Sequence, residues 1–262
     1  MTIAVLAGHP DSPYALRVLR AINASGVQGV HVVAAMWKGG PRDLSGLVRK
    51  HGLRLPWVGA KWVTRAMVRP LTGIAPWRMR MTTLAAEVAA QGGRFVVVDD
   101  VNDESCRDIL RRWNVDLLVL AGAPIMREPV LAVPRIGTLN AHQGALPRFR
   151  GMNVIEWAVF ERSAPSVTVH FVDAGIDTGD VVASEVIDVR PGDTLEAVRA
   201  RAIERQVDLL ARTVRSACSG TLPRIRQLAT DGRQYYVMHQ RIRAITDRRL
   251  SEIRARRPVR VH

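Results

Sequence analysis

Asn140 and His142 stand two residues apart at the end of an apolar run, in the stretch NAHQGALPRFRG that ends at Gly151. A strand turns side chains i and i+2 to one face, so amide and imidazole are expected to look the same way from the strand's carboxyl end. Open α/β sheets bind ligands at that end. Further on, GIDTGD places Asp177 in a loop flanked by Gly175 and Gly179. Each residue also has an ordinary reading: Asn makes turns, a lone His packs in cores, and an Asp among glycines bonds its own backbone. As a set they make chemical sense. A carboxamide N–H stabilises a developing oxyanion, an imidazole exchanges a proton near neutral pH, and a carboxylate beside it raises its pKa and helps carry a proton away.

What the chain lacks narrows that chemistry. It has no GxSxG, and neither Cys106 nor Cys218 has a His close in sequence, so a covalent acyl-enzyme is disfavoured against direct transfer to an amine. No His, Cys and acid cluster has metal-ligand spacing, so no metal is expected. His31, His51, His170, His239 and His262 are scattered and read as structural or exposed. His9, with Pro10 after it, ends the first strand and is the weaker candidate to face the same cleft.

The elements that would position these residues alternate along the chain. Apolar runs at 2–8, 30–36, 94–100, 115–122, 137–143 and 165–173 read as strands, with GDVVASEVIDV as an antiparallel edge. Helical spacing follows Asp11 or Ser12 with Pro13 in the first turn, recurs at TLAAEVAAQ, after Asp103 and at NVIEWAVF, and runs long after Thr194. The fold class is therefore α/β: a Rossmann-like, mostly parallel twisted sheet with helices on both faces. A catalytic domain at 1–217 is expected, with a helical insertion at 37–81 and a short basic appendage at 218–262 that holds one helix from Met238 to about Ala255. The insertion interleaves Trp37, Trp57, Trp62 and Trp77 with arginines and lysines; a flap packed on the sheet is favoured over contact with a membrane surface.

Length and charge bound the partners. The 262 residues, 47% of them hydrophobic, suffice for one large core. No long uncharged apolar run and no leader pattern stands out, which suggests a cytoplasmic protein. The net charge of +14 invites a nucleic-acid reading, but an anionic small substrate makes better use of it.

LNAHQGALPRFRGMNVIEWAVF followed by VTVHFVDAGIDTGDVV resembles the signature of the folate-dependent formyltransferase family, including the methionyl-tRNA formyltransferase catalytic domain and the sugar N-formyltransferases. The likeness covers roughly residues 1–215, with the insertion poorly matched. It implies 10-formyltetrahydrofolate as co-substrate and puts the family's catalytic Asn, His and Asp on Asn140, His142 and Asp177. The resemblance implies a pterin site at Ala123, Ile125, Met126 and Leu131 on one loop and Asp173, Gly175 and Ile176 on another. His9, Pro10, Arg148, Arg150 and Tyr235 are the expected contacts of a small amine acceptor, the arginine fork suiting a folate glutamate or an acceptor phosphate. The stretch QYYVMHQRIR fits an acceptor pocket or a homodimer surface equally well.

Two departures from the family pattern matter. Gln143, Gly144 and Ala145 replace the usual Pro-Ser-Leu type of triplet, and GHPDSPY replaces the glycine-rich phosphate loop of the purine enzymes. The residues after Ala217 are also too few for a barrel domain of about a hundred residues. All of this points to a small acceptor, such as an amino sugar on a nucleotide carrier. An amino acid or hydroxylated amine, hydrolysis of the formyl donor, and a basic protein binding RNA or an anionic surface stay open as alternatives.

Overall fold

The structure is a computed structural model and describes residues 1–35, 76–220 and 222–253. The expected insertion at 37–81, except its last residues, lies outside them, as does the end of the basic tail.

Strands β1 (Ile3–Ala7), β2 (His31–Ala35), β3 (Phe95–Val98), β4 (Leu117–Ala121), β5 (Gly137–His142), β7 (Ser166–Phe171) and β8 (Val181–Val186) form one sheet in the order β3-β2-β1-β4-β5-β7-β8. The first five named in sequence are parallel, and β7 and β8 each run antiparallel to their neighbour. IAVLA and LLVLA are buried at every position, as strands covered on both faces must be. The strand order reverses between β1 and β4, and the carboxyl ends of β1, β4 and β5 lie side by side there.

Helices cover both faces. On one, α1 (Pro13–Ala24) and the long α6 (Leu195–Cys218) bury Val18, Ile22, Val198 and Leu210 against Val5, Val119, Leu139 and Val169. Ser12, not Asp11, caps α1 by accepting the Ala15 N–H at 3.1 Å, and Thr194 caps α6 in the same way. On the other face, α3 (Glu104–Arg112) and the single turn α4 (Glu128–Leu131) cover Leu6, Val33 and Leu118. Asp103 stands at the start of α3, but its side chain makes no capping bond. Helix α2 (Pro76–Ala89) begins earlier than its apolar spacing suggested. No described helix is long and apolar enough to cross a membrane.

The residues after 217 fold back onto the sheet. Ile225 pairs with Val181 of β8, and β9 (Arg233–Tyr235) runs parallel to the short β6 (Phe149–Gly151). Helix α7 (Gln240–Ile253) packs on α5 (Val154–Phe160). A small cluster of Phe149, Val154, Ala158 and Tyr235 seals this joint.

Candidate active site

Strands β5 and β7 differ from β1 and β4 by alternating apolar and polar residues. Leu139 and Ala141, with Val167, Val169 and Phe171, enter the core under α6. The period of two therefore sends Asn140 and His142, with Thr168 and His170, to the opposite face. The register sets Asn140 directly across from His170, and His142 across from Thr168. One face of one strand pair is thus polar, and the chemistry-bearing side chains gather on it.

The contacts among them are short and mutual. Asn140 Nδ2 lies 3.2 Å from His170 Nε2, and His170 Nδ1–H donates to the Phe171 carbonyl at 2.7 Å. His142 Nε2–H donates to the Phe149 carbonyl at 2.8 Å. Asp177 stands between the rings, with Oδ2 3.4 Å from His142 Nδ1 and Oδ1 3.5 Å from His170 Nε2. The Gly151 N–H donates to Asp177 Oδ2 at 2.9 Å. His170 Nε2 has two partners: bare, it accepts from the Asn140 amide; protonated, it donates to Asp177.

Burial sets the charge states. It pushes the His142 imidazole below its ordinary pKa, and the pull of Asp177 and the Phe149 carbonyl recovers only part of that. The ring is neutral at pH 7. Burial raises the Asp177 carboxyl, but the His170 hydrogen bond, the facing His142 and the Gly151 N–H outweigh it, so the acid lies below the usual range and stays ionised. A neutral base thus faces an ionised acid, and a proton arriving between them is shared by Nδ1 and Oδ2.

Two glycines explain the local backbone. A Cβ on Gly144 would lie 2.7 Å from His142 Nε2 and 2.6 Å from the Phe149 oxygen, so the Gln143-Gly144-Ala145 triplet leaves room for the bond that orients the imidazole. Gly151 has φ +97°, and a Cβ there would meet the Tyr235 oxygen at 2.2 Å; that close approach to β9 aims its N–H at Asp177.

The remaining expected residues are spread around this centre. Ala123, Ile125, Met126 and Leu131 follow β4 beside the site, but Met126 is buried in the core under the loop, and Ile125 is 76% exposed. Asn102 fixes that loop by donating to the Ile125 carbonyl and accepting from the Arg127 N–H. Asp173 accepts from Gly175 N–H and Thr178 Oγ1 within its own turn, and Ile176 is exposed. His9 is half-buried and accepts the Asp11 N–H on Nδ1, while Pro10 is buried. Arg148 is exposed over the Phe149 ring, and Arg150 donates to the Gly232 carbonyl. Tyr235 does not line an open pocket: it is buried, stacks on Phe149 at 5.2 Å and donates to Glu161. Among the described residues no His, Cys, Asp or Glu group is placed to hold a metal ion.

His170, read from the sequence as structural or exposed, is buried, not exposed. It is 2% exposed and touches both Asn140 and Asp177. The signal was present in PSVTVHFVD, where Thr168 and His170 occupy the polar phase of a period-two pattern; only the pairing register shows that Asn140 lies opposite. Asn153 stands before α5 without a side-chain capping bond and accepts the Met238 N–H.

The sequence profile of the formyl transferase family matches residues 80–214. The methionyl-tRNA formyltransferase of Methylacidiphilum infernorum is 39% identical over 131 residues, 49% of this chain and 41% of that protein. The chain thus matches less than half the length of this curated relative. Among solved structures, a 4-N formyltransferase from Francisella tularensis covers 95% of this chain and 87% of its own, with TM-score 0.59 and 15% identity. An N-formyltransferase from Helicobacter canadensis, crystallised with folinic acid and dTDP-3-aminofucose, covers 96% and 80% with TM-score 0.57 and 11% identity. These two likenesses are likenesses of fold.

Proposed function

The chain belongs to the formyl transferase family, and on that premise we propose that it moves a formyl group from 10-formyltetrahydrofolate to the amine of a small biosynthetic acceptor, an amino sugar on a nucleotide carrier. The observation that carries this reading is the meeting of an amide, two imidazoles and an ionised carboxylate on the polar face of β5 and β7. The Helicobacter canadensis protein, crystallised with a nucleotide-linked amino sugar, supports the acceptor class.

The residues present fit the donor. Ile125 and Ile176 offer exposed apolar side chains on the two loops beside the site, and the peptide groups around them can read a pterin edge. When bound, the folate supplies an activated formyl carbon. Asn140, half-buried, keeps an N–H beyond the one turned to His170 and presents it to the oxygen that gains charge as the neutral amine adds to that carbon. His142, neutral, accepts the proton the amine must lose. Asp177 then holds the imidazolium, its oxygen being already aligned with Nδ1. The oxyanion collapses, the bond from the formyl carbon to the folate nitrogen breaks, and His142 returns the proton to that nitrogen. The one N–H of neutral His142 is spent on the Phe149 carbonyl and its Nδ1 carries no hydrogen, so Nδ1 takes the proton and Asn140 serves the oxyanion.

The test is a transfer assay with labelled 10-formyltetrahydrofolate against nucleotide-linked amino sugars, free amino acids and methionyl-tRNA, read by mass spectrometry, with a donor-only arm. Formylation of a nucleotide-linked amino sugar is expected. Release of formate without any formylated amine, or formylation of methionyl-tRNA alone, overturns the reading.

A further inference from the structure

Asp177 adopts a backbone conformation that ordinary residues avoid, with φ 55°. Such strain, of order 1–3 kcal/mol, persists only where surroundings over-determine it. The side chain is held by the Gly151 N–H, but its main chain is held by a residue far along the chain. Gln227 Nε2 donates to the Asp177 carbonyl at 3.1 Å and to the Gly179 carbonyl at 2.5 Å, bridging the turn that carries the acid. Gln227 itself is fixed in place. Arg224 lies 3.6 Å over the Phe171 ring and donates to the Ile136 carbonyl, and Ile225 exchanges both backbone hydrogen bonds with Val181 at 2.8 and 2.9 Å. The other support of Asp177 has the same source, because β9 pairs with β6 and sets Gly151 opposite Tyr235.

These supports come from residues 224–235, beyond the 80–214 span that the family profile matches. We propose that the segment after 217 completes the site, and that Gln227 is a positioning residue that sets Asp177 against His142 and His170. The proposal rests on the formyl-transfer reading. Its physical content is that an amide on a separate segment fixes a strained turn which the β7–β8 connection does not fix alone.

The test compares Gln227→Met, which keeps the size and removes the donor, with Arg226→Ala at the exposed neighbour. Asn140→Ala serves as the marker that the measured turnover belongs to the site. Gln227→Met is expected to lower kcat roughly 10- to 100-fold, the scale of a displacement of about 1 Å at a reacting group. KM for donor and acceptor should stay within about twofold. The acid limb of kcat, set by His142, should shift downward, since an Asp177 drawn away no longer raises the buried imidazole. Arg226→Ala should match wild type. Wild-type kcat and pH profile in Gln227→Met, while Asn140→Ala is inactive, overturn the positioning role and leave the transfer reading standing. Wild-type turnover that Asn140→Ala does not reduce overturns the transfer reading instead. If Gln227→Met does not fold, Gln227→Lys decides: its ammonium can donate to both carbonyls and is expected to hold kcat within about threefold, and a folded Lys variant lacking turnover overturns the proposal.

Discussion

Two neighbouring strand pairs in one sheet have been put to opposite uses. β1 and β4 are buried on both faces and apolar throughout. β5 and β7 bury one face beneath α6 and keep the other for Asn140, His142, Thr168 and His170. The first pair contributes cohesion and the second gathers polar side chains, although only β4 separates β1 from β5. The difference shows that the polar groups were not admitted to the sheet singly. Asn140, His142, Thr168 and His170 each bond a neighbour, which is what a low-dielectric interior demands.

The contrast predicts a clean split between stability and turnover. Leu118→Ala, in the fully buried β4, should cost about 2–5 kcal/mol of stability and leave kcat nearly unchanged below the melting transition; chemical denaturation and steady-state kinetics measure the two sides. Asn140→Ala should do the reverse, raising the barrier by about 3–4 kcal/mol, or roughly 100- to 1000-fold in kcat, with an unchanged melting curve. A large loss of stability in Asn140→Ala would erase the distinction between the pairs.

His170→Ala should fall between them in kind. It frees the Asn140 amide and removes one partner of Asp177, so kcat is expected to drop roughly tenfold, about 1.4 kcal/mol, with KM for the acceptor little changed. Turnover equal to wild type would reduce His170 to a packing residue.

The mildest test is pH. His142 titrates below the ordinary imidazole value of about 6.5, so kcat should hold from pH 7.5 down past that point and fall only below it. Folding stability should follow the same sign. A depressed carboxyl at Asp177 and a depressed imidazole at His142 both contribute stability that is complete above their unfolded values and lost as pH falls through the folded ones. Denaturation at pH 7.5 and 5 checks this, and a rise in stability toward acid would contradict it.

Much of this was legible in the residues. The apolar runs, Ser12 and Thr194 announced their strands and caps because burial and hydrogen-bond satisfaction act within a few residues. Asn140 and His142 were legible because a two-residue period decides their common face. His170 and Gln227 were not, because their partners lie 30 and 50 residues away and only strand register and the return of the segment after 217 bring them together. Tyr235 looked like a pocket residue by type, yet its place opposite Gly151 buries it.

The order of residues alone determined the layered α/β class and the identity of the amide, imidazole and acid, since side-chain period and composition are local properties. Tertiary structure decided which second imidazole joins them, which backbone N–H aims the carboxylate and which amide holds its turn. Those are contacts between distant segments, and no local pattern carries the distance between them.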